Sequence, residues 1–321
     1  MLSKSLSARL ALAVLWLAVA LTTGCAGTAA SAGVRPAAGV LPASFQGAAA
    51  VLTYHHLSPV PWGRDTITPR LFRRQLLLLR ASGYHFVSLE EVAQFYQGFR
   101  RLPPNAVAVT FDDGYESFYT YAAPVLRQLG IPATDFIIVA NVDGLNRRPH
   151  IPALTWEQMR ELEKTGLFRF EPHTFSSHFL VRIHGLWGMR REPALVAWVN
   201  PATGLPESIS LHVRRVQADL QRARKEVEWH LGGRRTLLAW PYGAYDWAAR
   251  LAAGRAGYRL VFGTKPGLIR CTSDRYDLPR INAGSPLVTP VRLALALRQA
   301  ARDLRGVGMK PAVVPVAHDL H

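Results

Sequence analysis

Seven apolar, strand-like runs recur along this 321-residue chain, with helical patterns between them. The runs cover residues 49–55, 84–88, 106–111, 134–139, 167–171, 236–240 and 259–263. Strands that alternate with helices favour an α/β fold in which the strands run parallel. We therefore expect a distorted (β/α) barrel of about seven parallel strands in a single domain. The expected helices are 69–83, 89–96, 156–164 and 216–231, with a last one at 290–305.

The run 106–111 leads directly into two adjacent carboxylates, Asp112 and Asp113, followed by Gly114. Its apolar character is typical of a strand buried on both faces, and parallel strands carry active sites at their carboxyl ends. Side chains alternate along a strand, so both carboxylates face one cavity only if the backbone turns, which Gly114 permits. Two close carboxylates indicate a metal site or two different protonation states. A solvated Asp-Asp-Gly turn is the alternative.

The first 24 residues have the features of an export signal. Lys4 and Arg9 precede an uncharged apolar stretch, 10–21, which is too short to cross a bilayer comfortably. The small residues before Cys25 resemble a bacterial lipoprotein processing site, although Thr22 stands where leucine is usual. We therefore expect a lipoprotein signal peptide at 1–24, a lipid on Cys25 and a flexible tether at 25–48. An ordinary cleaved signal, which would release a secreted protein, is the alternative.

The formal net charge of +16 indicates a preference for acidic partners. Anionic lipid headgroups and cell-wall polymers are such partners in an exported protein. Nucleic acid is the other usual partner of a basic chain, but the export signal argues against it. Many arginines fall on the expected helices, so solvated helix faces account for much of the charge. The expected location is extracytoplasmic, with the protein anchored to the membrane through Cys25.

Two histidines follow the fifth strand-like run, His173 and His178. At a spacing of five residues they lie on different faces of a helix, so they share a ligand only from a loop or an irregular turn. At the carboxyl end of a strand they would share a rim with Asp112 and Asp113. Two imidazoles and one carboxylate are a common set of catalytic zinc ligands. Taken alone, the pair is better interpreted as two surface histidines.

Three stretches taken together resemble the polysaccharide deacetylases. Thr-Phe-Asp-Asp-Gly-Tyr at 110–115 is similar to the first motif of that family, His173-Thr174 with His178 to the second, and Trp-Pro-Tyr-Gly-Ala-Tyr-Asp at 240–246 to the third. The histidine spacing and the Trp-Pro-Tyr-Gly form look more like the poly-β-1,6-N-acetylglucosamine deacetylase branch than the chitin-type branch. We assign the deacetylase domain to residues 49–290, followed by a C-terminal helix and loose tail at 291–321.

The resemblance implies a role for each matching residue. Asp113, His173 and His178 would bind a divalent metal, and Asp112 would be the general base. Zinc is the expected metal because it lowers the pKa of a bound water to about 7, although the ligand set also accepts cobalt, nickel or iron. The backbone N–H of Tyr242 would stabilise the oxyanion that forms during hydrolysis.

The chain departs from the family pattern at three positions. Ala239 stands where many relatives have an arginine that orients the base, so Arg280 is a candidate substitute, with a structural salt bridge as its alternative role. The late histidine that many relatives use as general acid is not evident. Asp112 or His55 would then protonate the leaving amine, unless His55 is a buried structural histidine. Pro172 replaces a serine that relatives often have before the first metal-binding histidine.

These expectations describe a cell-surface enzyme that removes N-acetyl groups from N-acetylglucosamine-containing polysaccharide. An O-acetyl esterase acting on wall polymer or xylan is the nearest alternative, because an acetyl ester would meet the same site. A carbohydrate-binding lipoprotein without turnover and a two-carboxylate glycosidase are alternatives of other classes. The segment 180–212 lacks clear periodicity, so we expect a long excursion that is a candidate lid over the site.

Overall fold

The computed structural model describes residues 44–60, 62–142, 144, 151–185 and 188–306. The expected signal peptide, the lipid attachment at Cys25, the tether as far as residue 43 and the tail after residue 306 lie outside these ranges. Within them, no helix combines the length and the apolar character that a bilayer span requires.

The described chain alternates strands and helices as the sequence predicts. The strands are β1 (Ala49–Tyr54), β2 (His56–Leu57), β3 (Thr66–Ile67), β4 (His85–Phe86), β5 (Ala106–Asp113), β6 (Ala133–Ile138), β7 (Phe168–Thr174), β8 (Leu180–Gly185), β9 (Gly188–Pro193), β10 (Leu237–Ala239), β11 (Leu260–Phe262) and β12 (Ile281–Asn282). The helices are α1 (Pro69–Ala81), α2 (Leu89–Tyr96), α3 (Ala123–Leu129), α4 (Val139–Val142), α5 (Trp156–Glu163), α6 (Ile209–Leu231), α7 (Trp247–Arg255) and α8 (Pro290–Gly306).

Parallel strands form the wall of a distorted barrel, which confirms the predicted α/β fold. Five strands follow one another in the order β12-β1-β5-β6-β7, and β4 pairs with the beginning of β5. β10 and β11 form a separate parallel pair. Each of the seven predicted runs contributes a strand, and β12 adds one that the sequence did not predict. Small residues such as Ala49, Ala106 and Ala108 fill the space between the main sheet and the β10–β11 pair.

Side chains join the two sheets where β7 lies beside β10. No backbone ladder connects these two strands in the described chain. Instead, the N–H of Leu237 donates to Oε2 of Glu171 at 3.2 Å, and Nδ1 of His173 donates to the carbonyl of Ala239 at 2.7 Å. Glu171 and His173 are two residues apart on β7, which is the spacing of side chains on one face of a strand. Their partners, Leu237 and Ala239, are likewise two residues apart on β10. The barrel is therefore closed here by Glu171 and His173, and His173 is held in the wall.

Helix caps explain most of the helix starts. Thr68 caps α1, and Ser88 with Glu91 forms a capping box on α2. Thr155 and Gln158 form a second capping box on α5. Each cap satisfies backbone N–H groups that have no partner within the helix. These starts agree with the predicted helices to within a residue.

The segment 180–212 differs from its prediction. It contains the antiparallel hairpin β8–β9, in which Val181 and Ile183 are buried. The helix expected to begin at residue 216 begins at Ile209, with Ser208 as its cap. The predicted excursion is therefore a short hairpin followed by a connection of 194–208. Its role as a lid stays a prediction.

Candidate active site

The backbone turns at the end of β5, and the turn begins one residue earlier than expected. Asp113 has φ +79°, and Gly114 follows with φ +69°. In the described chain, only Asn105, Asp113 and Tyr242 combine a side chain with a positive φ. Such a conformation costs about 1–3 kcal/mol and is common at functional sites. It turns Asp113 out of the strict alternation that would place it opposite Asp112.

Three side chains converge at this turn, those of Asp113, His173 and His178. Oδ1 of Asp113 lies 3.9 Å from Nε2 of His173 and 3.3 Å from Nε2 of His178. One ligand atom from each of the three residues lies within 4.8 Å of the others. All three side chains are at least nine-tenths buried. Oδ1 of Asp113 accepts no hydrogen bond from the described residues, so a divalent cation would satisfy a buried oxygen there.

The orientation of His173 suits it to metal binding. We expected both histidines beyond a strand, but β7 extends to Thr174 and includes His173. Because Nδ1 donates to the carbonyl of Ala239, Nε2 is left to face Asp113. Burial lowers the pKa of His173 despite the opposing charges of Asp112 and Asp113. The ring is therefore neutral at pH 7, which is the form that binds metals.

Helix α6 holds the loop between the two histidines, which the sequence did not predict. Asp219 accepts hydrogen bonds from the backbone N–H groups of Phe175 at 3.0 Å and Ser176 at 2.9 Å, and also from the hydroxyl of Ser177. One turn further along the helix, the guanidinium of Arg222 lies 3.6 Å from the centre of the Phe175 ring. Asp219 thus fixes the backbone that leads to His178.

Arg280 contacts Asp112 directly. Its Nη1 donates to Oδ1 and its Nη2 to Oδ2, both at 2.7 Å. A third donor, Nε, bonds to the carbonyl of Gly263 at 2.9 Å. Burial raises the pKa of Asp112, but the charge and the hydrogen bonds of Arg280 outweigh this effect and hold the pKa well below its usual range. Asp112 is consequently an ionised carboxylate beside the three converging side chains.

The two remaining candidates lie beside different members of this group. Nε2 of His55 is 4.0 Å from Oδ2 of Asp112, and its side chain is a quarter exposed. The ring of Tyr242 lies 4.5 Å from that of His178. Tyr242 has φ +57°, and the next residue, Gly243, admits no side chain because a Cβ would lie 2.1 Å from Oγ1 of Thr264. The turn that carries Tyr242 is thus tightly specified.

A parallel-strand barrel with a carboxylate and two imidazoles at the carboxyl ends of its strands has the architecture of a metal-dependent hydrolase. Comparison with known proteins agrees with this class. The chain belongs to the polysaccharide deacetylase family, whose family model matches residues 100–261.

The relatives include proteins named for one polysaccharide. The chain is 27% identical over 224 residues to the poly-beta-1,6-N-acetyl-D-glucosamine N-deacetylase of Escherichia coli strain K12. The aligned region is 65% of this chain and 32% of that protein. The protein of the same name from Staphylococcus aureus strain MRSA252 is 25% identical over 216 residues, covering 67% of each. The chain thus spans about a third of the length of the first relative.

The fold has close counterparts among solved structures. The structure of a de-N-acetylase from Aggregatibacter actinomycetemcomitans matches with a TM-score of 0.66 at 25% identity. The match covers 73% of this chain and 94% of that one. The agreement supports the single-domain barrel described above.

Proposed function

We propose that this chain is a metal-dependent N-deacetylase of N-acetylglucosamine-containing polysaccharide. The observation that carries the proposal is the contact between Asp112 and Arg280, which keeps a buried carboxylate ionised next to Asp113, His173 and His178. A binding protein has no need of a buried base held in this way. The names of the relatives support amide hydrolysis and a poly-β-1,6-N-acetylglucosamine substrate.

Asp113, His173 and His178 would hold the metal, and the unsatisfied Oδ1 of Asp113 supports this assignment. Two imidazoles with one carboxylate suit zinc, and cobalt, nickel or iron would also be accepted. When bound, the metal supplies an electrophile for the acetamide oxygen and acidifies the attacking water.

The proton chemistry falls to residues of the chain. Asp112 accepts a proton from the water while the oxygen of that water attacks the acetamide carbon. The N–H of Tyr242 stabilises the negative charge that develops on the carbonyl oxygen. As the C–N bond breaks, the amine takes a proton from His55 or from Asp112, and acetate and a glucosamine unit are the products. Nε2 of His55 lies 4.0 Å from Oδ2 of Asp112, so both candidate proton donors lie at the same site.

Acetate release from defined N-acetylglucosamine oligomers, measured with and without a chelator, tests the function. We expect release that stops on chelation and returns when zinc is added. A β-1,6-linked oligomer should be a better substrate than a β-1,4-linked one of equal length. Release from acetylated xylan but from no N-acetylated oligomer would favour the esterase. Binding of oligomers without release from either substrate would favour a carbohydrate-binding role.

We also propose that the protein is extracytoplasmic and is tethered to the membrane through a lipid on Cys25. The apolar stretch 10–21 and the small residues before Cys25 support this proposal. Fractionation of cells that express the full chain tests it. The wild type should sediment with membranes, whereas Cys25→Ser should lose the lipid and leave the membrane fraction. Equal membrane retention and equal processing of both proteins would contradict the anchor.

A further inference from the structure

A cavity of about 240 Å³ lies beside Asp113 and His55. Its lining includes Trp62, Arg64 and Asp65 on one wall, and Asp113 and Tyr115 on the other. We propose that this cavity binds the sugar unit next to the one that is deacetylated, with Trp62 as its stacking platform. The proposal rests on the proposed function, which it deepens by assigning a second sugar site.

Aromatic rings form the floor of the cavity. Trp62 lies 5.8 Å from the His56 ring, which lies 5.4 Å from the Tyr115 ring. Tyr115 is buried, whereas Trp62 is 52% exposed. Trp62 lines the cavity and is half exposed, so a ligand in the cavity can cover its ring. The C–H face of a pyranose ring is a flat apolar surface of suitable size, and tryptophan presents a matching face at little conformational cost.

The loop that carries Trp62 is anchored to the catalytic segment. Residues 58–60 and 62–65 lie between β2 and β3, and the pairing of these two strands ties the ends of the loop to each other. Nδ1 of His56 lies 2.9 Å from Oγ of Ser117, and the N–H of Leu57 donates to the same oxygen at 3.2 Å. Ser117 is four residues beyond Asp113. The position of Trp62 relative to the site is consequently set by the same segment that presents the two aspartates.

The polar lining suits a sugar better than a purely apolar ligand. Arg64 supplies hydrogen-bond donors and Asp65 supplies acceptors, and hydroxyl groups of a sugar need both. His55 and Asp113 line the same cavity as Trp62. An acetamide at these catalytic residues belongs to one ring, and we infer that the part of the cavity beside Trp62 holds the neighbouring ring. The expected ligand is an uncharged N-acetylhexosamine unit within a chain.

Kinetics on two substrates of different size test the proposal. For an N-acetylglucosamine pentamer, Trp62→Ala should raise KM about ten-fold, which corresponds to about 1.4 kcal/mol, with little change in kcat. Hydrolysis of p-nitrophenyl acetate, which has no second sugar, should be unchanged. Trp62→Phe should retain most of the affinity. Trp229, which is 83% exposed on α6 and does not line the cavity, provides the matched control Trp229→Ala.

An unchanged KM for the pentamer in Trp62→Ala would overturn the sugar site. An equal loss on p-nitrophenyl acetate would also overturn it, because the loop would then support the catalytic residues. If the wild type releases no acetate from the pentamer, the proposed function fails, and calorimetric binding of the pentamer decides the sugar site separately. Binding by the wild type that is lost in Trp62→Ala would support the site. Absent or equal binding would refute it.

Discussion

Both carboxylate oxygens of Asp112 accept a hydrogen bond from Arg280, each at 2.7 Å. The two side chains are 5% and 1% exposed, so water screens their attraction very little. A planar guanidinium matches a carboxylate at both oxygens, which a lysine cannot do. Because burial alone would raise the pKa of Asp112 and Arg280 reverses this effect, the protonation state of the proposed base depends on one contact.

Arg280→Met should move the acidic limb of the pH profile of kcat/KM to higher pH. Without the guanidinium, burial dominates, and the pKa of Asp112 rises. Asp112 is then protonated over more of the acidic range, so activity is lost at a higher pH than in the wild type. The wild type should keep Asp112 ionised at all pH values above the ordinary aspartate pKa of about 3.9. Acetate release between pH 4.5 and 9 measures the shift.

Two variants control this experiment. Arg280→Lys keeps the charge but not the paired hydrogen bonds, so its acidic limb should lie between those of the wild type and Arg280→Met. Arg292→Met removes an exposed arginine on α8 and should leave the profile unchanged. Urea unfolding at pH 7 establishes that each variant is folded. An acidic limb at the wild-type position in folded Arg280→Met would contradict the assignment of Asp112 as base.

Substitutions of Asp112 and His178 should differ in their effect on metal content. Asp112→Asn removes the base but leaves Asp113, His173 and His178 in place, so the protein should retain one metal ion per chain and lose nearly all activity. His178→Ala removes a ligand and should lose both. Elemental analysis after dialysis, together with acetate release, separates the two results. Full activity in either variant, or loss of metal from Asp112→Asn, would refute the division of roles.

Local sequence patterns predicted most of the barrel because its strands are buried. β5 is buried along its whole length, and its sequence is a nearly continuous apolar run as far as Phe111, with the two aspartates marking its end. Strand ends of a parallel barrel meet on one rim, and the proximity of the segments that carry Asp113, His173 and His178 follows from that rule. β12 was missed because two residues, Ile281–Asn282, are too short to show a period.

The remaining errors arise where tertiary contacts override the local pattern. The start of α6 was missed because its first turn exposes Ile209 and Leu211 while it buries His212, the reverse of an ordinary helix face. Asp219 was missed because its partners, Phe175 and Ser176, are more than 40 residues away and its own surroundings form an ordinary helix. No signal in the sequence near Asp219 distinguishes it from a solvated helix residue.

Asp219→Ala should weaken zinc binding while the protein remains folded. The substitution removes the acceptors that hold the N–H groups of Phe175 and Ser176, so the loop that carries His178 loses its position. Losing a residue that orients a metal ligand typically lowers metal affinity about 10–100-fold. Competition with a zinc chelator measures the affinity without reference to activity.

Asp219→Asn keeps one acceptor oxygen and should show an intermediate affinity for zinc. Asp274→Ala is the matched control, since Asp274 accepts a backbone hydrogen bond from Tyr276 at 3.0 Å on a different loop. It should leave zinc affinity unchanged. Wild-type zinc affinity in folded Asp219→Ala would show that α6 does not position His178.

The ion pair of Arg235 with Glu163 should be far more important to stability than that of Arg250 with Asp274. Both pairs are bidentate, but Arg235 is 1% exposed and also donates to backbone carbonyls, whereas Arg250 and Asp274 are 36% and 43% exposed. Arg235→Met leaves a partly buried carboxylate without its partner and should cost about 3–5 kcal/mol. Arg250→Met should cost less than about 1 kcal/mol. Urea unfolding measures the stability of both variants. Equal losses of stability would show that burial does not determine how much an ion pair contributes.

Asp135 should destabilise the folded protein increasingly as the pH rises. It is 1% exposed on β6, pairs with Phe111 and Phe170 on the neighbouring strands, and neither oxygen accepts a well-formed hydrogen bond from the described residues. Burial, and then the charges of Asp112 and Asp113, raises the pKa of Asp135 well above its ordinary value, an effect that the nearby N–H of Gly114 only partly offsets. A group whose pKa is raised on folding reduces stability as the pH rises above its unfolded value of about 3.9.

Asp135→Leu should therefore stabilise the protein, by about 1–3 kcal/mol at pH 8, because it replaces a poorly bonded carboxyl by an apolar group of similar size. The gain should be smaller at pH 5. This pH is only slightly above the unfolded pKa of about 3.9, so keeping Asp135 protonated in the folded protein costs less there than at pH 8. Asp135→Asn, which cannot ionise but remains polar, should remove the pH dependence of the difference without the full gain. Urea unfolding of the three proteins at both pH values measures these differences. A loss of stability in Asp135→Leu that is the same at pH 5 and pH 8 would show that Asp135 has a structural partner and is not a buried carboxyl under strain.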